Sequence, residues 1–115
     1  SCSDKLILPE ACGNSRPSWF GFLMTCREGI GRNQVTGFLE ERGIQTRTLF
    51  AGNILRHPCA DELHETSRYR IAGTLCNTDR VLEQSFWVGV YPGFTKEQLH
   101  RIADTLVEAL QRAES

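Results

Sequence analysis

The sequence predicts a single small domain of the α+β class, a small sheet with helices packed on one face. Two aromatic, nearly continuous apolar stretches at 18–25 and 86–91 have the composition of strands. Apolar residues at Leu99, Ile102 and Leu106 recur with helical spacing in the last segment. The predicted order is strand, helix, strand, loop, short helix, strand and long helix, which forms one such layer. A chain of 115 residues has room for one domain.

The first half of the chain contains two predicted strands and one helix. Residues 1–17 are rich in proline, glycine and polar residues and are predicted as an extended lead-in, with 6–8 as a short strand. The domain proper is predicted at 18–115. It begins with a strand over 18–25 that is expected to be buried on both faces. The aromatic residues of the two strands are expected in the core and not on a stacking surface: Trp19, Phe20, Phe22, Phe86 and Trp87. A helix follows over 34–42, capped by Asn33 at its start and by a left-handed Gly43 after its end.

The second half is predicted to be less regular before it ends in a long helix. Residues 43–47 are expected to be extended, 48–58 to form a loop and 60–66 one helical turn, while 69–75 fits either a strand or an extended loop. The run Asn77, Thr78 and Asp79 is expected to cap a short helix that ends near residue 84. After the strand at 86–91, Thr95 and Gln98 have capping-box spacing for a helix over 96–112.

Composition excludes several classes of function. The net charge is −1, and basic residues are scattered, so nothing points to nucleic acid or to an anionic membrane. No apolar run approaches the length of a membrane span. The five cysteines show no paired metal-ligand spacing and are expected to be thiols in a reducing compartment, so we expect a cytoplasmic protein without a metal site.

Ligand-type side chains are concentrated in one irregular segment, which contains Arg47, Phe50, Asn53, Arg56 and His57. A guanidinium, an amide and an imidazole suit the hydroxyls and phosphates of a sugar nucleotide. The alternative is that Arg47 pairs with a neighbouring carboxylate and Asn53 only tolerates a turn.

No complete active site is visible in the sequence. It has no glycine-rich phosphate loop and no recognisable nucleophile motif. The candidate anchors for an aldehyde cofactor, Lys5, Lys96, His57 and His64, each lack a surrounding phosphate cup. His64 and His100 are expected at the surface.

Four separated segments carry a family resemblance: PSWFGF at 17–22, GIQTRTLFAGN at 43–53, NTDR at 77–80 and FWVGVYPG at 86–93. In order and spacing they resemble the CDP-4-keto-6-deoxy-D-glucose-3-dehydratase branch of the pyridoxal-phosphate sugar aminotransferase superfamily (DegT/DnrJ/EryC/StrS), which includes lipopolysaccharide biosynthesis proteins. The likeness extends over residues 7–110 and matches only the C-terminal small domain of that family.

The resemblance implies a fold-type I enzyme in which a large N-terminal cofactor domain precedes this small domain. Such enzymes work as homodimers, some with a reductase partner, and use pyridoxamine phosphate to remove the C3 hydroxyl of the sugar. A histidine replaces the usual Schiff-base lysine, but it belongs to the large domain, as do the iron–sulfur cysteines. None of the three histidines here inherits its role. The resemblance therefore implies no catalytic residue and no cofactor on this chain.

The resemblance also implies where substrate binds. The small domain closes over a CDP- or GDP-linked 4-keto-6-deoxyhexose, and the segment 47–58 is expected at the cleft. Position 57 is histidine where the family leads us to expect glutamine, and 59–68 matches poorly. The predicted substrate contacts are Arg47, Phe50, Asn53 and His57, with Ser18 and Trp19 as further candidates.

Two other functions remain open from the sequence. One is the small domain of a sugar-nucleotide transaminase, which a lysine in the large domain would indicate. The other is a freestanding binding module that kept the small-domain fold. If the chain is part of a dehydratase, it is expected to be inactive alone, to expose an apolar face and to self-associate.

Overall fold

The computed structural model describes residues 2–113. Short 3-10 turns at Cys2–Asp4, Ile54–Arg56 and Pro58–Leu63 accompany the regular elements. In chain order those elements are β1 (Leu6–Ile7), β2 (Gly21–Cys26), α1 (Arg32–Glu41), β3 (Thr46–Thr48), α2 (Cys76–Gln84), β4 (Ser85–Gly89) and α3 (Lys96–Arg112).

The four strands form one antiparallel sheet in the order β1-β2-β4-β3. Because β2 and β3 both pair with β4, they run parallel to each other, and α1 connects them. Trp87 of β4 lies opposite Leu23 of β2 on one side and Arg47 of β3 on the other. This register brings the predicted ligand segment to one edge of the sheet.

One face of the sheet carries the core. Met24 and Phe86 are fully buried on it against Val35 and Leu39 of α1 and Leu110 of α3. Alternate residues point to opposite faces of a strand, so Leu23 and Trp87 lie on the other face. The predicted α+β class, with helices packed on one face, is confirmed.

The strand predicted at 18–25 is wrong in its start and in its burial. β2 begins at Gly21, and α1 and α3 cover only the face that carries Met24 and Cys26. Trp19 and Phe20 precede the strand and are exposed, Phe20 at 79%. Their prediction as core residues is therefore wrong, and so is that of Trp87, which lies on the face opposite the core. Phe86 lies in the core as predicted. An aromatic run marks a strand without showing which of its faces is covered.

The start of α1 also differs from the prediction, while its end agrees. The helix begins at Arg32 after Gly31, and Asn33 does not cap it, because its Oδ1 accepts hydrogen bonds from the Arg32 guanidinium. Gly43 has φ +76, and its N–H bonds to Glu40 while that of Ile44 bonds to Leu39. These two bonds form a Schellman motif.

α2 and α3 differ in how well their starts were predicted. α2 begins at Cys76, so Asn77 and Asp79 lie in its first turn and do not cap it. α3 has the predicted bounds and the predicted capping box between Thr95 and Gln98. The segment 69–75 contains no helix or strand, and the turn expected at 60–66 is the 3-10 turn Pro58–Leu63.

The predicted lead-in contributes to the core. Leu6 of β1 is buried beside Cys26, its partner in the sheet. Cys12, Cys26, Cys59 and Cys76 are free thiols, and burial raises the pKa of the Cys26 thiol to about 11. Within residues 2–113, no helix has the length and apolar character needed to cross a membrane.

Candidate functional site

The predicted ligand segment is held to α2 by one carboxylate. Asp79 Oδ1 accepts from Asn53 Nδ2 at 2.7 Å, and the Arg56 guanidinium binds both carboxylate oxygens, at 3.0 and 2.8 Å. These hydrogen bonds, from Arg56 first and then from Asn53, lower the pKa of the Asp79 carboxyl to about 2. Asp79 is therefore ionised at neutral pH and anchors the loop.

Asn53 and His57 both make hydrogen bonds within the segment. Asn53 is 2% exposed, and its Oδ1 accepts from the N–H of Leu55 at 3.1 Å while its amide nitrogen donates to Asp79. His57 is half-buried, with Nε2 2.6 Å from the carbonyl oxygen of Ala51. A carbonyl only accepts, so this ring nitrogen carries the hydrogen. Both side chains shape the loop from inside.

Arg47 is differently placed, on the edge strand β3. Its side chain is exposed, and its Nη1 donates to the carbonyl of Thr46 at 3.0 Å. Glu40 accepts hydrogen bonds from the N–H and the hydroxyl of Thr46, and these lower the pKa of the Glu40 carboxyl. The charge of Arg47 makes a smaller contribution in the same direction. Within residues 2–113 no carboxylate lies within 4.0 Å of the Arg47 guanidinium. Most of its donors therefore remain available to a ligand.

Trp87, the cross-strand neighbour of Arg47, lines an aromatic cleft of about 180 Å³ on the sheet face opposite the core. Phe50 is 77% exposed with φ +47, a left-handed conformation that is uncommon for a bulky residue. Such backbone strain concentrates at functional sites. We call this surface the aromatic cleft; its lining side chains are Trp19, Phe20, Leu23, Leu49, Phe50 and Trp87.

The six predicted contact residues therefore fall into two groups. Arg47, Phe50 and Trp19 lie at or beside the aromatic cleft, and Ser18 is exposed one residue before Trp19. Asn53 and His57 point into the loop. Whether any of them contacts substrate stays a prediction.

Three residues of this region were not among the predicted contacts: Phe20, Asp79 and Trp87. Asp79 was assigned to a helix cap, and its pairing with Arg56 spans 23 residues, which no local pattern reveals. Trp87 had a signal in the alternation of β4, since a residue between buried Phe86 and Val88 points to the opposite face.

A second concave surface lies on the helix-covered side, between the end of β4 and the first half of α3. We call it the helix-side groove; it encloses about 480 Å³, and no charged side chain lines it. Leu99, at the start of the apolar stripe of α3, is 51% exposed in this groove. The other lining residues include Trp19, Phe22, Val90, Tyr91, Phe94, Ile102, Ala103 and Leu106.

The two lysines named as candidate anchors for an aldehyde cofactor are Lys5, which precedes β1, and Lys96, in α3. Lys5 Nζ donates to the carbonyl of Leu110 at 3.4 Å, and Lys96 is the first residue of α3. Neither lines the aromatic cleft or the helix-side groove. Among the residues that the structure describes, neither lysine lines the surface that Arg47 shares with Gln98 and Arg101.

Comparison with known proteins identifies the family. The profile of the DegT/DnrJ/EryC1/StrS aminotransferase family matches residues 2–107. The chain belongs to this family. The superfamily that the four sequence motifs indicated is thereby confirmed.

Two curated relatives are similar over 110 residues, 94% of this chain. The lipopolysaccharide biosynthesis protein RfbH of Salmonella typhimurium (strain LT2) is 46% identical, and the dTDP-4-dehydro-2,6-dideoxy-D-glucose 3-dehydratase of Saccharopolyspora spinosa is 44% identical. The matches include 24% and 23% of the relatives' own lengths. This chain thus spans about a quarter of each relative.

Solved structures agree with the fold. The GDP-4-keto-6-deoxy-D-mannose-3-dehydratase of E. coli, with bound hydrated PLP, superimposes with a TM-score of 0.68 at 27% identity, over 92% of this chain and 25% of its own. A GDP-4-keto-6-deoxymannose-3-dehydratase variant with bound GDP-perosamine gives 0.73 at 24% identity, over 89% and 26%.

Proposed function

We propose that this chain is the C-terminal, substrate-closing domain of a sugar-nucleotide 3-dehydratase that uses pyridoxal or pyridoxamine phosphate. The pathway would be dideoxysugar synthesis for lipopolysaccharide O-antigen. The chain would have no catalysis of its own. The two curated relatives support the class of enzyme, since one is a sugar 3-dehydratase and the other a lipopolysaccharide biosynthesis protein.

One observation carries the substrate-binding part of this proposal: Arg47 is exposed at a sheet edge, beside an aromatic cleft, with donors free of any carboxylate. A guanidinium with free donors suits the phosphates and hydroxyls of a sugar nucleotide. Asp79 would act indirectly, because it fixes the loop that follows Arg47. Asn53 and His57 would then position the loop, and Phe50 would face the ligand.

The helix-side groove supports the proposal that the rest of the enzyme packs against this chain. A charge-free concave surface on an amphipathic helix is the kind of patch that protein partners cover. The relatives are about four times as long as the matched segment, which leaves three quarters of their chains to provide that cover. The partner would be the cofactor domain, in a homodimer that binds a CDP- or GDP-linked sugar and works with a reductase.

The test is a chimera in which this chain replaces the matching quarter of the Salmonella relative, assayed for sugar-nucleotide turnover. Arg47→Ala should reduce kcat/KM by tenfold or more, since a charge-assisted hydrogen bond contributes about 1.5–3 kcal/mol. Arg80→Ala, which removes an exposed arginine on α2, is the matched control and should leave turnover unchanged. An inactive chimera, or equal turnover in both variants, would count against the proposal.

A further inference from the structure

We propose that the aromatic cleft is the platform on which the base of the nucleotide stacks. This inference rests on the proposed function, because it assigns one part of a sugar-nucleotide ligand to one surface. It adds Phe20 and Trp87 to the ligand-contacting residues and excludes the sugar and the diphosphate from the cleft itself.

The first support is that Trp87 is held rigidly on the open face of the sheet. Its Nε1 donates to the carbonyl of Thr48 at 3.2 Å, which fixes the indole plane relative to β3. On the other side the ring lies directly over Gly21, where any Cβ atom would overlap it. An aromatic side chain that is locked before the ligand arrives loses little freedom on binding.

The second support is that two further rings stand exposed around this fixed indole. The Phe20 ring lies 5.2 Å from the Trp87 ring, inclined at 53°. Phe50 lines the same cleft and is 77% exposed. Exposed aromatic rings beside a fixed indole offer π-faces on which a flat ligand can stack.

The side chains that line the aromatic cleft determine which part of a sugar nucleotide can bind there. The six lining side chains are aromatic or aliphatic and carry no carboxylate, amide or hydroxyl group. A pyranose needs partners for several hydroxyls, and a diphosphate needs cations, so both are poor occupants. A nucleobase offers a flat π-face that stacks on aromatic side chains, whichever base it is. Arg47, opposite Trp87 in the sheet, can receive the phosphate that the ribose of the same nucleotide carries.

The experiment uses the chain itself and the indole N–H signals of its two tryptophans, Trp19 and Trp87, which both line the cleft. CMP and GMP are titrated to millimolar concentration while proton–nitrogen NMR spectra are recorded, and inorganic pyrophosphate and ribose 5-phosphate are titrated in parallel. The nucleotides should shift the Trp87 indole signal, whereas the two phosphates without a base should not.

Three variants sharpen the result. Phe50→Leu and Phe20→Leu remove exposed rings outside the hydrophobic core and should each weaken nucleotide binding by about tenfold, as loss of a base-stacking ring does. Tyr91→Leu removes an exposed ring outside the cleft and should bind as the unmodified chain does. The proposal is overturned by equal shifts with pyrophosphate, by no shift with either nucleotide, or by unchanged affinity in both Phe variants.

The outcome is distinguishable from a failure of the proposed function. If the nucleotides shift Trp87 but the chimera does not turn over its substrate, the cleft stands and the dehydratase assignment fails. If the chimera is active and sensitive to Arg47→Ala but no indole shift appears, the assignment stands and the cleft is not the base site.

Discussion

At the scale of single residues, Asp79 determines the shape of the predicted ligand segment. Its two oxygens take three hydrogen bonds from Asn53 and Arg56, which lie on the loop after β3. The same contacts explain why Asn53 is buried although it lies in an irregular segment. Loop geometry here depends on a group from another element.

This carboxylate makes loop order depend on pH. Because the folded-state pKa of Asp79 is lowered from 3.8 to about 2, its contribution is complete above the unfolded value and is lost as pH falls through the folded one. We expect the loop to loosen between about pH 4 and pH 2, seen as a lower protection factor of the Leu55 amide against hydrogen exchange, relative to the intrinsic rate at each pH.

Asp79→Asn should show that loosened state already at neutral pH and lose the acid transition. Glu83→Gln, which changes an exposed carboxyl on the same helix, should retain the transition. An acid transition that persists in Asp79→Asn would assign it to another group.

For the residues of the candidate site, the sequence indicated which side-chain types are present better than it indicated the direction in which each side chain points. Arg47 and Phe50 were selected because of their side-chain types, and both are exposed at the sheet edge. Asn53 was selected on the same grounds, but its orientation depends on Asp79, 26 residues away. A single sequence contains no record of that pairing.

At the scale of elements, local signals predicted helix ends only where the end is held by neighbouring residues. α3 has its predicted bounds because Thr95 and Gln98 cap it within one turn. α1 begins before its predicted cap. The Arg32 guanidinium donates to the carbonyls of Leu82 and Ser85, and these hydrogen bonds hold Arg32 at the first position of the helix. The strand was predicted to begin at residue 18, whereas β2 begins at Gly21. Its start is set by the pairing with β4, and the first paired residue of β2 is Gly21.

The end of α1 provides a test at this scale. Gly43→Ala should lower the free energy of unfolding by about 1 kcal/mol, because φ +76 is unfavourable for a residue with a Cβ atom. Gly37→Ala, in the middle of the same helix with open space around its Cβ position, should raise it by about 0.5–1 kcal/mol. Urea denaturation of both variants measures the contrast, and a stabilised Gly43→Ala would refute the assigned role of the Schellman glycine.

At the scale of the whole molecule, the fold class followed from the order of elements, but the extent of burial did not. The apolar stripe of α3 was predicted from spacing alone; Leu110 is buried, while Leu99 is half exposed. Helical spacing shows that the apolar stripe of α3 needs to be buried, but it does not show whether the same chain or another chain buries it.

This incomplete cover predicts that the isolated chain self-associates through the helix-side groove. Sedimentation should show a concentration-dependent increase in mass, because a charge-free groove is covered when two copies meet. Leu99→Lys, which places a charge in the groove, should keep the chain monomeric. Val107→Lys, at an exposed position of α3 outside the groove, should associate as the unmodified chain does. A chain that stays monomeric at every concentration would contradict this account of the groove.

The absence of charge in the helix-side groove also determines how its contacts respond to temperature. Burying apolar surface lowers the heat capacity, and the hydrophobic attraction weakens on cooling. An interface made mainly of such surface, whether with a second copy or with the proposed cofactor domain, therefore has a lower affinity in the cold than at growth temperature. Added sulfate has the opposite effect, because it strengthens apolar burial.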